Sequence, residues 1–211
     1  MAAVGKSGTD LTRIVSLTDG VFAFAMTLLV LSLAVPVVNS SYTLLHQSRQ
    51  LAFLLQQDYT AFYGYAFAFV MIAVWWIVHQ RTFQYIERYN NTLVWLNMAI
   101  LLQIAVMPFV LTVYSDYSNL QTAVALFAFL QVTLGITTTG LWDYARRAHL
   151  IKPDVPPSIA RFFSRRGWYT AAVFAASIGI TFYSVNIAQY SWIIVFLIPR
   201  FLNRHGVAEP V

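Results

Sequence analysis

Residues 13–33 read RIVSLTDGVFAFAMTLLVLSL, and this stretch decides the fold of the chain. Its polar and charged side chains are Arg13, Ser16, Thr18, Asp19, Thr27 and Ser32. About 20 predominantly apolar residues are enough for a helix to cross a bilayer. A charged side chain at the bilayer centre costs about 2.5–3.5 kcal/mol, so an acid in such a helix indicates a functional site or a paired group. We therefore interpret this helix as the functional element and the other apolar segments as helices that surround it.

The composition is that of an integral membrane protein. The 211 residues are 59% hydrophobic and 10% charged, whereas soluble domains carry about 25% charged residues. The chain has no cysteine, which excludes disulfides, thiolate catalysis and cysteine-based metal sites. The net charge of +5 comes from basic residues at predicted helix ends, where they orient the chain, so it does not indicate nucleic-acid binding.

The apolar segments predict an all-α polytopic protein with six transmembrane helices in a single domain, residues 1–211, after a short disordered N-terminus, residues 1–10. The predicted spans cover about residues 13–35, 59–80, 92–114, 120–144, 167–187 and 192–202. The last one is short and is interrupted by Pro199 and Arg200. A short amphipathic helix is predicted at 44–55, and the proline-rich segment 152–157 cannot continue a helix.

The basic residues support six spans over five. With six spans, every Lys and Arg except Arg49 falls on one side of the membrane. The positive-inside rule makes that side cytoplasmic, with both termini in the cytoplasm. The lipid bilayer is therefore the expected surrounding partner of the chain.

Polar residues of the first three spans fall at a similar depth near the cytoplasmic side. They are Arg13, Thr18, Asp19, Trp76, His79 and Asn97. Buried polar groups need partners in lipid, so we predict a structural polar network that holds the base of span one against spans two and three. The alternative is that water at the interface satisfies each residue separately. For His79, an interfacial position at a helix end is as good an explanation as membership of the network.

A family signature lies in the opening stretch. The sequence Arg13-x-x-x-Leu17-Thr18-Asp19, followed by GVFAFAMTLLVL, resembles the RxxxFSD signature and first helix of the endolysosomal and bacterial potassium channels of the transmembrane protein 175 type. Arg13 and Asp19 match at the same spacing, whereas Leu17 and Thr18 replace phenylalanine and serine. The WxxH pattern of span two and the six-span layout agree with the bacterial form, which has one unit per chain.

The resemblance implies a potassium-permeable, potassium-preferring cation channel that is a homotetramer. In the family, span one lines the pore, and rings of apolar side chains form the constriction, a hydrophobic gate. Transferred by distance from the aspartate, those rings fall at Phe24, Leu28 and Leu31, with Thr27 beside the middle ring. The three apolar residues share one helical face, but the helix is apolar all round, so the spacing equally fits packing or lipid contact.

The sequence departs from the family at Phe24, where family members have a smaller aliphatic residue. No TVGYG segment is present, which excludes a carbonyl-lined filter of that kind. The alternative function is a secondary transporter or proton-coupled membrane carrier, which predicts an inverted repeat that the sequence does not show. The histidines are scattered without a catalytic motif, so we expect no enzyme, no cofactor and no metal other than potassium in transit.

Overall fold

The computed structural model describes residues 8–57 and 59–204, and these ranges are all-helical without a strand. The helices, in chain order, are α1 (Gly8–Leu28), α2 (Leu44–Gln57), α3 (Tyr59–Phe83), α4 (Asn91–Asp116), α5 (Gln121–Arg147), α6 (Pro157–Thr181), α7 (Val185–Ser191) and α8 (Ile193–Arg204). Residues 8–10, which the sequence analysis assigns to a disordered N-terminus, are part of α1. Residues 1–7 of that predicted segment lie outside the described residues.

The first helix ends earlier than predicted. Its α-helical part stops at Leu28, and one 3₁₀ turn, Leu29–Ser32, completes it before the chain becomes extended at Leu33. Such tightening is common at helix ends. The Ser32 hydroxyl donates to the Leu29 carbonyl at 2.7 Å, and the Leu33 amide donates to the Val30 carbonyl at 3.1 Å. These bonds satisfy carbonyls that a helix end otherwise leaves unpaired.

The core lies where α4, α5 and α6 pack together. α5 is central, with buried residues along most of its length, and it packs extensively against both α4 and α6. α1 and α3 both pack against α4 and against each other. Fully buried side chains of this core include Ile104, Met107, Phe127, Leu134 and Trp142. α2, in contrast, has no buried residue, as the amphipathic pattern predicts.

Small residues bring α5 and α6 close together. A Cβ placed on Gly167 of α6 would lie only 1.9 Å from Thr139 Oγ1 and 3.0 Å from Thr139 Cβ on α5. One turn away, a Cβ on Gly135 of α5 would meet Ala171 Cβ at 3.2 Å. Small residues at this spacing are the usual means of close helix packing in membrane proteins. The contact fixes the register of the two helices.

α5 ends in a two-bond cap that turns the chain toward α6. The Leu150 amide donates to the Ala145 carbonyl at 2.9 Å, and the His149 amide donates to the Arg146 carbonyl at 3.3 Å. Between them His149 takes a positive φ of 54°, as this Schellman geometry requires. The predicted helix break follows, because the chain stays non-helical until α6 begins at Pro157.

Four helices in the described part of the chain are long and apolar enough to cross a membrane, namely Leu11–Ser32, Ala61–Phe83, Asn91–Asp116 and Gln121–Arg147. α6 is long enough, but Arg161, Arg165 and Arg166 occupy its first turns. The final apolar segment, Val185–Ile198, is short. The fifth and sixth spans therefore stay predictions, whereas the first four agree with the sequence analysis.

Candidate functional site

Asp19 joins α1 to α3. Its carboxylate Oδ1 accepts a hydrogen bond from Trp76 Nε1 at 2.9 Å and a second one from Gln80 Nε2. Trp76 and Gln80 are four residues apart on α3, so their side chains leave the helix on the same face. Two hydrogen-bond donors stabilise the negative charge of this carboxylate, so Asp19 is tolerated near the start of a membrane helix.

A second, fully buried set of contacts joins α1, α4 and α3. Asn97 Nδ2 donates to Thr18 Oγ1 at 3.0 Å, and Asn97 Oδ1 lies 2.8 Å from His79 Nε2. Thr18 and Asn97 have no exposed surface, and His79 is 2% exposed. Because Thr18 Oγ1 donates to the Ile14 carbonyl, it has to accept from Asn97. The Asn97 oxygen therefore faces His79, and His79 Nε2 carries the proton of that bond.

The His79 ring is enclosed by aromatic side chains. It stacks on Phe83 with a centroid distance of 4.2 Å and lies 6.0 Å from the Phe22 ring. Its Nδ1 atom is buried and has no hydrogen-bond partner in the described residues. The imidazole is therefore fixed by one hydrogen bond and by ring packing.

These contacts show which of the predicted network residues come together. Thr18, Asn97 and His79 form one buried chain of hydrogen bonds, and Asp19 with Trp76 forms a separate, partly exposed one. Arg13 joins neither. Its side chain is exposed, and it has no hydrogen bond or ion pair with another described residue. We call the two sets of contacts together the polar clamp.

The face of α1 opposite the polar clamp is uncovered in the single chain. It is a continuous exposed stripe along the helix, which we call the uncovered face, and it consists of Arg13, Leu17, Gly20, Phe24, Thr27 and Leu31. Phe24 is 64% exposed and Leu31 is 76% exposed. The opposite side of the helix buries Phe22, Ala25 and Leu29 against the rest of the chain. One side of α1 therefore packs, and the other is not covered by any described residue of the chain.

The four predicted constriction residues do not share one environment. Phe24, Thr27 and Leu31 lie on the uncovered face, whereas Leu28 is half-buried at its edge. The Thr27 hydroxyl donates to the Phe24 carbonyl at 2.9 Å, so its remaining lone pairs are available on the exposed side. The face thus presents large apolar groups with one hydroxyl oxygen among them.

The fold has a solved counterpart. It resembles the crystal structure of a lysosomal potassium-selective channel TMEM175 homolog from Chamaesiphon minutus, with a TM-score of 0.70 at 19% identity, over 93% of this chain and all of that one. In sequence, a potassium channel of Streptomyces collinus is 27% identical over 177 residues, 82% of each chain.

Residues 13–108 match the family model for the endosomal/lysosomal potassium channel TMEM175. This segment of the chain is similar to the TMEM175 channels. The endosomal/lysosomal proton channel TMEM175 of Rattus norvegicus is 27% identical over 103 residues, which is 48% of this chain but only 21% of that protein. The similarity to the Streptomyces protein, in contrast, extends over most of both chains.

The TMEM175 match contains the whole candidate site. It begins at Arg13 and ends at Pro108, so it includes most of α1, all of α3 and most of α4, with both the polar clamp and the uncovered face. TMEM175 is a family of membrane-spanning ion channels rather than of enzymes. This integral membrane chain therefore has its candidate site in the part that defines the family.

Sequence reasoning missed two polar residues with defined roles in the structure. Gln80 supplies the second donor to Asp19, and its position four residues after Trp76 is the signal that could have identified it. Asp143 joins α5 to α6, where it accepts from the Ser164 hydroxyl and from Trp168 Nε1 at 3.2 Å. Arg146 lies one turn away at 3.5 Å. Ser164 and Trp168 show helical spacing, but nothing in the sequence pairs them with Asp143.

Proposed function

We propose that four copies of this chain form a potassium-preferring cation channel whose pore is lined by the uncovered face of α1. The observation that carries the proposal is the division of this helix into two sides. One side is buried by α3 and α4, and the other is exposed from Arg13 to Leu31. This division leaves the exposed side of α1 available to line a path shared by several copies.

Closed rotational symmetry gives the uncovered face a partner. In a cyclic assembly each copy contributes the same surface around one axis, so four α1 helices enclose a path for ions. The number four follows from the resemblance to the bacterial members of the family. The remaining helices of each copy then surround α1, which agrees with its position at the side of the α4–α6 core.

The proposed constriction is apolar. Phe24 and Leu31 are the most exposed large apolar residues of the uncovered face, and half-buried Leu28 lies between them at its edge. A narrow apolar ring excludes water and gates by dewetting. An ion has to lose part of its hydration shell to pass such a ring. Potassium holds its shell less strongly than sodium, so the ring penalises sodium more, and Thr27 offers hydroxyl oxygens beside it.

The polar clamp positions α1 in this proposal. Asp19 and Thr18 lie one after the other near the start of the helix, and each is bonded to a different neighbouring helix. Two attachments at adjacent residues fix both the depth and the rotation of α1. The rotation matters because it determines which side chains reach the pore axis.

The proposed orientation has six spans, with both termini in the cytoplasm of a bacterium and the chain in its inner membrane. The basic residues in and beside the connections α3–α4 and α5–α6 support it, because these two connections lie on the same side of the chain and contact each other. The Glu87 amide donates to the Leu150 carbonyl at 2.9 Å, and the Lys152 amide donates to the Tyr85 carbonyl at 2.9 Å.

The test is electrical recording from the purified protein in planar bilayers with potassium and sodium on opposite sides. We expect single-channel steps and a reversal potential that reports preference for potassium. Native mass spectrometry should give four times the 23.9 kDa of one chain. The relatives are named for two different ions, so proton flux is measured in the same preparation with a pH-sensitive dye. Saturable uptake without single-channel steps would assign the chain to the secondary transporters instead.

A further inference from the structure

A long cavity lies between α3, α5 and α6. Its volume is about 400 Å³, which is within the range of about 300–1,000 Å³ for ligand pockets. Its walls extend from Phe67 to Thr82 on α3 and from Phe127 to Trp142 on α5. Each wall spans about 22 Å at the helical rise of 1.5 Å per residue. The cavity is therefore a slot parallel to the helices, longer than one leaflet of about 15 Å, half the hydrocarbon thickness.

α3 and α5 run in the same direction on either side of this slot, so residues at equal depth can be identified. The Phe67 and Phe127 rings are 6.2 Å apart at one end, and the Tyr85 and Trp142 rings are 6.2 Å apart near the other. Between them, Trp75 Nε1 donates to Gln131 Oε1 at 2.7 Å. Thr138, two turns beyond Gln131, is therefore level with the end of α3.

The two ends of the slot differ in charge. Its middle and its Phe67 end are lined by aliphatic and aromatic side chains, whereas Arg81 and Arg166 line the end at Thr82. This is the side that the distribution of Lys and Arg makes cytoplasmic. A slot with apolar walls and two guanidinium groups at one end matches an anionic amphiphile.

The cavity wall also contains hydrogen-bond donors that lack acceptors in the described residues. Gln131 is fully buried, and because its Oε1 is occupied by Trp75, its Nε2 group has no partner. Thr138 is 8% exposed, and its Oγ1 atom also has no partner. Buried polar atoms without partners are rare and require an explanation. Thr138 lies at the depth of the charged end of the slot, whereas Gln131 lies two turns deeper, so the polar end of an occupant reaches Thr138.

We propose that the slot binds an anionic glycerophospholipid of the surrounding bilayer. One acyl chain lies along the walls of α3 and α5, and the phosphate lies at Arg81 and Arg166. An ester oxygen of the glycerol accepts from Thr138 Oγ1, which is level with the end of α3 where Arg81 lies. A free fatty acid carries a single carboxylate, whereas a phosphate with an adjacent ester supplies acceptors to both guanidinium groups and to the Thr138 hydroxyl. None of the lining residues belongs to α1, so the site is independent of whether the chain conducts ions.

Photo-crosslinking tests this site on the full chain in lipid nanodiscs. The probe is phosphatidylglycerol with a photoreactive acyl chain, and labelled peptides are mapped by mass spectrometry. We expect labelling of residues 67–82 and 127–142. The Arg81→Gln variant should reduce it about five-fold, as expected for about 1 kcal/mol from one Arg beside an anionic lipid. Val74→Phe, which fills the slot, should also reduce it, as should Thr138→Val, which removes the unpaired hydroxyl.

Matched variants distinguish the slot from the general lipid surface. Ile77→Phe enlarges an exposed α3 side chain outside the slot, and Arg88→Gln removes an exposed charge beyond α3, so both should label like the unaltered chain. Equal labelling by photoreactive phosphatidylcholine, or stronger labelling by photoreactive palmitic acid, would overturn the proposal. So would equal labelling of all variants, or crosslinks that show a second copy of the chain inside the slot.

Discussion

Asn97 donates to Thr18 at 3.0 Å in a position where neither side chain has any exposed surface, which ties α4 to α1 inside the part of the chain that the TMEM175 model matches. On its other side Asn97 accepts from His79 of α3. A single amide thus fixes three helices. Asp19, which follows Thr18 in the sequence, adds a second link between α1 and α3 through Trp76. The orientation of the proposed pore helix depends on these contacts.

Replacement of Asn97 by leucine should destabilise the protein more than other polar-to-apolar changes. It leaves the buried His79 Nε2–H group without its acceptor, and such an unsatisfied group costs about 1–3 kcal/mol, whereas the Thr18 hydroxyl keeps its bond to the Ile14 carbonyl. We expect a lower thermal-unfolding midpoint and less assembled oligomer in detergent. The matched control is Gln103→Leu, because Thr137, its partner on α5, keeps its bond to the Thr133 carbonyl. Equal effects of the two variants would contradict the special role of Asn97.

Asp19→Ala should reduce assembly more than it changes ion preference. The substitution removes the acceptor of Trp76 and Gln80, so α1 loses its partly exposed link to α3. The oligomer fraction is measured by native mass spectrometry, and the potassium-to-sodium permeability ratio is measured in bilayers. Asp19→Asn keeps one acceptor oxygen and should retain more oligomer than Asp19→Ala. If Asp19→Ala assembles normally and changes the permeability ratio, the carboxylate belongs to the conduction path.

Gly167→Ala should destabilise the packing of α5 and α6. The added Cβ would lie 3.0 Å from Thr139 Cβ, so the helices have to separate or shift. Overpacking of this kind costs about 1–3 kcal/mol. Gly179→Ala is the control on the same helix, because a Cβ there meets nothing within 4 Å. Replacement of glycine by alanine in a helix favours the helix by up to about 1 kcal/mol, so the control should be neutral or stabilising. Thermal unfolding in detergent measures both, and a destabilised Gly179→Ala would contradict the steric explanation.

Features that a local pattern determines are predicted best. Long apolar runs predict six membrane-crossing helices, and four of them are long and apolar enough in the described residues. The proline-rich segment after α5 breaks the helix, and α2 has no buried residue, as predicted for a helix at the surface. Depth along the spans brought Thr18, Asn97 and His79 to one level, and they contact each other. Hydrophobic periodicity and depth along a span are properties of single helices, so they can be predicted from one sequence.

Contacts between helices were harder to predict. Depth along the span groups Arg13 with the other polar residues, but depth does not determine the rotation of the helix. The Arg13 side chain is exposed and joins neither part of the polar clamp. The bonds from Gln80 to Asp19 and from Trp168 to Asp143 depend on which faces of two helices meet. The early 3₁₀ turn of α1 depends on the Ser32 hydroxyl and on the approach to Pro36, which a hydrophobicity pattern does not register.

Leu31→Ser should raise conductance and weaken the preference for potassium. Leu31 is the most exposed residue of the uncovered face in the final turn, and a hydroxyl there wets the proposed apolar ring. Val30→Ser is the control, because Val30 is also exposed but lies about 120° away around the same 3₁₀ turn. Single-channel recording with a potassium–sodium gradient compares the two. Unchanged currents in Leu31→Ser, or equal changes in both variants, would count against Leu31 as a pore-lining residue.

Phe24→Leu should increase single-channel conductance and preserve the preference for potassium. Phe24 is 64% exposed on the uncovered face, so packing within its own chain does not hold the ring away from the proposed axis. Four phenyl groups around one axis narrow the path more than four smaller aliphatic groups, and leucine keeps the ring apolar. Phe69→Leu is the control, since Phe69 is an exposed phenylalanine on α3. Recordings at equal potassium concentration on both sides give the conductance. If Phe24→Leu and Phe69→Leu both conduct like the unaltered chain, Phe24 turns away from the path and the constriction lies at Leu31 alone.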